Sequence, residues 1–431
     1  MSERPLANPY RPFEDDDVSS GPFAGRQKAF DFLYQQVTNP LGAQTCIVLG
    51  REAIGKTALL RQFNSYFDET FIGAYLALRG RRINDEAGLL RALAEVATAA
   101  LTERNFSLSR LSETQPPDVP SRAWFGEQFL PDVFHIIRKR RLVYLLDDAG
   151  ALTKAIADGR LPQDTFTYLD ELLRANSGLG FVLAMDQRYE DQIPAMSPLV
   201  GLTDSFRLAA LLPDEASWLL REPVRSLYRV TEEGVETAYR AAGGEPRLLQ
   251  NFGYELYQRW LRQPDEIVVQ AEDVKQVSAL VARQNDEAFA RQWSVRSRNE
   301  RLALTAITSL VYDDPLGAIS PETVQAWLID SDYALDMTSV HAALRALEYD
   351  EVIEATANGL RVKTGLLQTW LLENARMNQS PVPSAGSRRL RWAALALLVL
   401  LAAVLVLIVT QSGSPASSAE ATAEPTVTLV R

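Results

Sequence analysis

Short, almost wholly apolar runs alternate along the first half of the chain with longer segments in which apolar residues recur every three or four positions. A short apolar run is typical of a buried β-strand, and the longer period is typical of an amphipathic helix. The four clearest runs are residues 45–49, 71–78, 142–146 and 178–185. Because helical segments separate these runs, we expect a parallel sheet that is covered by helices on both faces. The pattern therefore predicts an α/β fold.

From residue 208 onward the pattern is helical, and it predicts two further domains. The predicted helices of a lid domain, residues 208–295, are 213–220, 231–242, 246–262 and 271–292. In the next block, residues 296–376, helical segments at 299–312, 321–329 and 338–349 precede extended segments at 352–356 and 360–364. Ala357, Asn358 and Gly359 supply the turn of a hairpin between the two extended segments. Three helices followed by a hairpin are the order of elements in a winged helix.

The ends of the chain differ from these domains in composition. Residues 1–20 are polar and are predicted to form a flexible lead-in to the α/β domain, residues 21–207. Residues 377–391 form a linker that includes a Pro/Ser-rich stretch, and 412–431 form a tail predicted to be disordered and extracytoplasmic.

An uncharged segment lies between that linker and the tail. Residues 392–409 carry no charged side chain. Their length of 18 residues is close to the minimum for a helix that crosses a bilayer. Arg388, Arg389 and Arg391 precede this segment, so the positive-inside rule places the N-terminal domains in the cytoplasm. The sequence thus predicts a single-pass transmembrane helix at 392–411 and a cytoplasmic-membrane location.

The overall composition narrows the chemistry further. The 431 residues carry a formal net charge of −11, which argues against broad attraction to nucleic acid. Cys46 is the one cysteine, and the chain has two histidines. An intrachain disulfide is therefore impossible, and neither a thiolate metal cluster nor a histidine-rich metal site fits.

One stretch carries the strongest chemical signal, residues 46–60, which read CIVLGREAIGKTALL. Gly50, Gly55, Lys56 and Thr57 have the spacing G-x-x-x-x-G-K-[ST] between a predicted strand and a predicted helix. The glycines let the loop curl so that backbone N–H groups and a helix N-terminus meet phosphate oxygens. Lys56 would reach the β- and γ-phosphates, and the Thr57 hydroxyl would join a Mg²⁺ shell. The predicted phosphate-binding residues are Gly50, Arg51, Glu52, Ala53, Ile54, Gly55, Lys56, Thr57 and Ala58.

Two other predicted strands end in charged residues. Asp147 and Asp148 follow the apolar run 142–146, which matches a Walker B element. Asp147 would support the Mg²⁺ ion, and Asp148 would orient the attacking water. Asp186 and Arg188 follow the next strand. Because the carboxyl ends of parallel strands meet at one edge of a sheet, we expect all four side chains to converge on the phosphate loop.

These motifs make residues 22–376 similar to a known group, the STAND-type P-loop ATPases of the AAA+ lineage together with the archaeal-type ATPases. Gly25 and Arg26 end a Phe-Ala-Gly-Arg segment that resembles the group's hhGR element, which lies near the adenine and ribose. Pro246 and Arg247 end a Gly-Glu-Pro-Arg turn that resembles sensor 2, so Arg247 would read the γ-phosphate. The segment from Phe206 resembles the start of the helical lid. The resemblance implies ATP and Mg²⁺ as cofactors, and Lys56, Asp147, Asp148, Arg188 and Arg247 as catalytic residues.

The chain departs from the group's pattern at two positions. Asp148 stands where Walker B usually has glutamate, and the shorter acid suits a slow switch better than a motor. Arg188 ends a strand that usually ends in Asn or Thr, and it could act as a phosphate sensor or form a structural salt bridge. Arg174 is a guess for the arginine finger.

Three functions stay open on the sequence alone. The first is a membrane-anchored, ATP-binding signalling switch with slow hydrolysis, whose winged helix meets a protein partner or a second copy. The second is a DNA-binding ATPase, but the predicted recognition helix carries only His341, Arg345 and Glu348 as titratable groups before Tyr349. Because a DNA reader needs clustered Lys and Arg, nucleic acid is not the expected partner. The third is a nucleotide-bound scaffold that does not hydrolyse.

Overall fold

A five-stranded parallel sheet organises the first half of the computed structural model, which describes residues 7–10, 21–39, 44–81, 83–200, 205–312 and 317–375. Its strands are β1 (Thr45–Gly50), β2 (Phe71–Ala77), β3 (Arg141–Asp147), β4 (Leu179–Asp186) and β5 (Ser205–Arg207). The strands lie in the order β2-β3-β4-β1-β5, and every neighbouring pair is parallel. The predicted α/β fold with a parallel sheet is therefore confirmed.

Helices cover both faces of this sheet, because its strands are apolar on both sides. They are α1 (Gln27–Thr38), α2 (Lys56–Arg61), α3 (Phe63–Tyr66), α4 (Glu86–Glu103), α5 (Ser121–Ala123), α6 (Leu130–Ile137), α7 (Gly150–Ala157) and α8 (Thr165–Ala175). A π-helical turn, Trp124–Phe129, joins α5 to α6, and a 3₁₀ segment, Gln187–Met196, follows β4. Side chains of β1 alternate between the faces: Cys46 and Val48 join the core beneath α1 and α2, and the intervening residues join the core beneath α4 and α8.

The four strands expected from the apolar runs are present, each within one residue of its predicted bounds. The fifth strand, β5, was not predicted. It has three residues, all partly exposed, so neither its length nor a buried run marks it in the sequence. Its position is fixed by pairing with β1, in which Ile47 lies opposite Ser205.

The lid region consists of five α-helices, one 3₁₀ turn (Glu222–Val224) and one short strand pair. The helices are α9 (Pro213–Arg221), α10 (Glu232–Ala242), α11 (Pro246–Arg262), α12 (Ala271–Gln284) and α13 (Asp286–Ser294), and β6 (Arg229–Val230) pairs with β7 (Val268–Val269). A single helix was predicted over 271–292, but the structure breaks it at Asn285. The side-chain amide of Asn285 is buried and donates to the carbonyl of Val281, in the last turn of α12, at 2.8 Å. An asparagine side chain that bonds to the backbone in this way competes with the hydrogen bonds of the helix, so it favours the end of α12 at this position.

The third region begins with three helices and continues into an antiparallel hairpin, in the order predicted. Its elements are α14 (Arg298–Leu310), α15 (Pro321–Asp330), α16 (Met337–Tyr349), β8 (Ile353–Thr356), β9 (Gly359–Val362) and α17 (Gly365–Asn374). Ile319 forms a bridge with Leu360, which adds a third extended segment beside the hairpin. Buried side chains of this region and of the lid form one continuous core, and α17 packs against α10 and α12. We refer to residues 298–374 as the C-terminal module; its interpretation as a winged helix stays a prediction.

Part of the predicted flexible lead-in is instead packed against the lid. Tyr10 is 1% exposed, and its hydroxyl donates to the carbonyls of Leu219 at 3.2 Å and Leu220 at 3.0 Å. A Cβ atom at Gly253 would lie 2.4 Å from the Tyr10 ring, so α11 needs glycine there for the ring to fit. Burial of this aromatic ring fixes residues 7–10 on the lid, and a polar sequence gave no sign of it.

The cytoplasmic-membrane location predicted from the sequence is contradicted by the structure. Among the described residues no helix combines the length and the apolar character that a bilayer crossing needs. The longest, α4, has 18 residues and includes the charged side chains of Glu86, Arg91, Glu95 and Glu103. The predicted span at 392–411, its linker and the tail lie outside the described residues.

Candidate functional site

The glycine loop lies between the buried strand β1 and helix α2, at the carboxyl edge of the sheet. Gly55 has φ +100°, a conformation that glycine adopts without strain, and it places Lys56 at the first position of α2. The Lys56 ammonium group donates to the carbonyls of Gly50 at 2.8 Å and Arg51 at 2.9 Å. Burial lowers the pKa of Lys56, although the surrounding carboxylates, Asp186 first, oppose the shift. The lysine is thus held over its own loop beside the helix N-terminus.

A second set of oxygen atoms lies next to this loop. The Thr57 hydroxyl donates to Oδ2 of Asp147 at 2.6 Å, and the Tyr75 hydroxyl donates to the same oxygen at 2.9 Å. Asp147 ends β3 directly opposite Ala77 of β2, so pairing of the two strands brings Tyr75 within reach. The hydroxyl and the carboxylate are hard oxygen ligands beside the phosphate loop. Mg²⁺ usually binds one or two such protein ligands and completes its shell with water and phosphate oxygens. Thr57 and Asp147 therefore fit the predicted metal position.

Asp148 follows on the same edge in a less common backbone conformation. Its φ is +57°, a left-handed value that Asp tolerates better than most residues, and its backbone N–H donates to Oδ1 of Asp147 at 3.1 Å. Burial raises the pKa of Asp148, and the negative charge of Asp147 adds to the shift. The nearby guanidinium of Arg79 and the ammonium of Lys56 oppose it. Asp148 thus differs from Asp147 in backbone conformation and lies near two cations, Arg79 and Lys56.

Arg188 forms an ion pair at the end of β4. Its Nε and Nη2 atoms donate to the two carboxylate oxygens of Asp186, each at 3.0 Å. Burial on its own would raise the pKa of Asp186, but these hydrogen bonds bring it below its ordinary value. Of the two roles open for Arg188, the salt bridge is formed in the structure, and its role as a phosphate sensor stays a prediction.

These groups line one cavity of ≈ 1030 Å³ at the carboxyl edge of the sheet. Its predicted members are Glu52, Ala53, Gly55, Lys56, Thr57, Ala58, Asp147, Asp148, Arg188, Pro246 and Arg247. Arg247 and Pro246 reach it from the N-terminus of α11, together with Gln250. The expected convergence of the strand ends, the glycine loop and the lid is thus present.

The remaining predicted residues support the cavity from behind. Gly25 has φ +67°, and a Cβ atom there would lie 2.1 Å from a carboxylate oxygen of Glu215. That carboxylate accepts from the Arg26 backbone N–H at 3.2 Å and from the Leu212 N–H at 2.8 Å, which joins the first segment to the start of α9. The Arg26 guanidinium donates to the Ile54 carbonyl at 2.8 Å, and burial lowers its pKa to about 10.

Besides Lys56, the glycine loop has two charged residues, Arg51 and Glu52, which face the other regions of the chain. Arg51 donates to Glu245, at the start of α11, at 2.9 Å, and its Nε lies 3.8 Å from the Glu351 carboxylate in the C-terminal module. Glu52 lies 3.7 Å from Arg291 of α13. The loop therefore contacts the lid and the C-terminal module as well as the cavity.

Among the residues of this site that the sequence analysis missed are Tyr75, Arg79 and Lys154. Arg79 lines the cavity just after β2, and Lys154 lines it from α7. The position of Arg79 directly after a predicted strand, at the edge where Asp147 also lies, is a signal that could have found it. Arg174 is not brought to the cavity, because it forms an i,i+4 ion pair with Asp170 on α8 at 2.6 Å and is largely exposed.

The fold was compared with known proteins. No protein-family model and no curated protein matches the sequence. The Walker-type ATPase PABY2304 of Pyrococcus abyssi has a similar structure, with a TM-score of 0.58 and 18% identity over 81% of this chain and 96% of that chain. The chain has the P-loop NTPase fold. Cdc6p from Pyrobaculum aerophilum is less similar, with a TM-score of 0.42 and 16% identity over 84% of this chain and 99% of that chain. The Orc1 protein of Aeropyrum pernix in complex with DNA has a TM-score of 0.40 and 14% identity over 84% of this chain and 95% of that chain.

At 18% identity the likeness to the Pyrococcus abyssi protein establishes the P-loop NTPase fold alone. The STAND part of the sequence resemblance is not supported. The prediction that nucleic acid is not a partner stays a prediction. Within the C-terminal module, however, both cations of the hairpin are paired: Arg361 with Glu354 at 2.7 Å and Lys363 with Glu351 at 2.9 Å.

Proposed function

We propose that the chain binds ATP together with Mg²⁺ in the cavity and hydrolyses it slowly. The observation that carries this proposal is the 2.6 Å contact between the Thr57 hydroxyl and the Asp147 carboxylate, beside Lys56 and inside a cavity of ≈ 1030 Å³. That combination supplies an anion-binding helix N-terminus, a phosphate-binding cation and a metal position within one space. Calorimetric titration of the protein with ATP, in the presence of Mg²⁺ and of a chelator, tests the proposal.

Each residue has a defined part in such a site. The N–H groups of the loop and the Lys56 ammonium hold the β- and γ-phosphates, and Thr57 and Asp147 hold the metal. Mg²⁺, when bound, offsets the negative charge of the two terminal phosphates. Asp148 orients the water that attacks the γ-phosphate, and Arg247 closes on that phosphate from the lid. Adenine as the base follows from the resemblance of the Phe-Ala-Gly-Arg segment.

Replacing Asp147 with asparagine is expected to weaken the Mg²⁺-dependent part of ATP binding by about 10- to 100-fold, the range typical for a metal site that loses a supporting group. The amide keeps the size of the side chain but loses the charge that the metal needs. Titrations with and without chelator measure the difference. Asp158→Asn is the control, since that carboxylate lies exposed at the end of α7. An Asp147→Asn protein that keeps full Mg²⁺ dependence would contradict the assignment.

We further propose that the nucleotide state controls the position of the C-terminal module, so that the protein acts as a switch. Its support is the set of contacts where α16 ends. The side chain of Gln187, at the end of β4, donates to the carbonyl of Tyr349 at 3.2 Å and to Asp350 at 3.0 Å. The guanidinium of Arg207 lies 4.0 Å from the centre of the Tyr349 ring. Together with the contact between Arg51 and Glu351, these join the module to the edge that binds phosphate.

Replacing Glu351 with glutamine is expected to loosen the module from the glycine loop. The ion pair with Arg51 is 3.8 Å long and partly exposed, so we expect a loss of about 1 kcal/mol, equivalent to about fivefold faster hydrogen exchange in residues 50–57. Exchange measured by mass spectrometry without nucleotide gives the result. Glu354→Gln is the matched control, because it removes an ion pair of the same hairpin that does not involve the loop. Equal exchange in the two variants would argue against the switch.

A further inference from the structure

The cavity is also lined by residues that have no part in the proposed nucleotide site. Helix α7 forms one wall, and the segment Gln187–Met196 forms the other. The two walls are joined, since the Thr153 hydroxyl donates to Oε1 of Gln192 at 2.5 Å and a Cβ atom at Gly150 would lie 3.5 Å from the Tyr189 ring. We call this space the far compartment.

Two cations without an ion-pair partner line the far compartment, Lys154 on α7 and Arg79 near Asp148, whereas Arg188 of the other wall is paired with Asp186. The other residues of its walls are uncharged: Gly150, Ala151, Thr153, Tyr189, Gln192 and Ala195. The far compartment thus has the charge to hold a small anion.

These two cations differ from others in the same cavity. Lys56 donates to two loop carbonyls, and Arg188 is paired with Asp186. Neither the Arg79 guanidinium nor the Lys154 ammonium group forms a hydrogen bond or an ion pair with any residue that the structure describes. Both are exposed to the solvent within the cavity, so they are free to bind an oxyanion.

We propose that Arg79 and Lys154 form a binding site for inorganic phosphate, which receives the product of hydrolysis before it leaves the protein. This inference rests on the proposed ATPase function. In that reaction the oxygen of water bonds to the γ-phosphorus, the bond to the oxygen shared with the β-phosphate breaks, and ADP and inorganic phosphate result. The guanidinium of Arg79 lies near Asp148, the residue that orients the attacking water, so phosphate that forms beside Asp148 has a cation of the far compartment next to it.

The test is titration of the full chain, loaded with ADP and Mg²⁺, with inorganic phosphate, followed by calorimetry. Arg79→Gln and Lys154→Gln should each weaken phosphate binding about tenfold, the usual size for loss of one charge-assisted contact, and the double variant should bind none that can be measured. Lys139→Gln, at the opposite edge of the sheet, is the matched control and should bind phosphate as the unaltered chain does.

Titration with ATP separates this inference from the proposed function. An unaltered chain that binds ATP but not phosphate, or Gln variants that bind phosphate normally, would overturn the phosphate site alone. Equal losses of ATP and phosphate affinity in the variants would also overturn it, because the cations would then belong to the nucleotide site. If the chain binds no ATP, phosphate binding to Lys56→Ala, in which the glycine loop lacks its cation, still tests the far compartment directly.

Discussion

Replacing Lys56 with alanine is expected to lower the affinity for ATP and Mg²⁺ by at least about a hundredfold, which corresponds to about 2.7 kcal/mol. This is the size of one or two charge-assisted contacts to phosphate in a site shielded from water. Lys56 is 9% exposed and is the one cation of the glycine loop that lines the cavity in the described structure. A fluorescence titration with a labelled ATP analogue measures the loss.

A matched control and a second measurement keep this result interpretable. Lys28→Ala removes an exposed lysine from α1 and should bind ATP as the unaltered chain does. Because a ligand that binds only the folded state raises the melting temperature, ATP should stabilise the unaltered chain and Lys28→Ala but not Lys56→Ala. Lys56→Ala that melts at the normal temperature without ATP and still binds ATP normally would refute the nucleotide site.

The sequence was sufficient for the parts of the site that depend on local order. Gly50, Lys56 and Thr57 lie within eight positions of one another, so strand, loop and helix form together from one stretch. The apolar run before Asp147 needed only the rule that parallel strands end at one edge. Both predictions follow from neighbours along the chain, and the structure brings these residues into one cavity.

The parts that were missed depend on contacts between distant residues. Tyr75 reaches Asp147 because β2 and β3 pair in one register, and a shift by one residue would turn its side chain to the other face. Tyr10 is fixed by the space above Gly253, more than 200 positions away. The ion pair of Arg51 with Glu351 likewise depends on how the C-terminal module is placed. None of these leaves a periodic trace in the sequence.

The charged side chains of the glycine loop contact more than the cavity. Lys56 is directed at the loop itself, whereas Arg51 and Glu52 contact the lid and the C-terminal module. Two guanidinium nitrogens of Arg51, Nε and Nη2, are buried without a hydrogen bond in the described structure, which is costly for a charged group. A small movement of Glu351 toward Arg51 would satisfy one of them, so this junction can favour a second arrangement of the module.

Replacing Asp148 with asparagine is expected to slow ATP hydrolysis by roughly a hundredfold or more, the usual contribution of a positioned acid or base, while ATP binding is kept. Asparagine has the same size and tolerates the φ of +57°, so the backbone is preserved. The amide, however, cannot accept a proton from the attacking water as a carboxylate does. Phosphate release at saturating ATP measures the rate, and Asp158→Asn is the control for the loss of one negative charge near α7.

This experiment also decides between a slow ATPase and a scaffold that only holds nucleotide. An unaltered chain that binds ATP but releases no phosphate over many hours favours the scaffold. Equal rates in the unaltered chain and Asp148→Asn would remove Asp148 from the reaction. A selective loss in Asp148→Asn supports the ATPase, because the Asp148 side chain forms no hydrogen bond with Thr57 or Lys56 in the described structure that would account for a loss of binding. In that case the aspartate that replaces the usual glutamate is itself sufficient for hydrolysis.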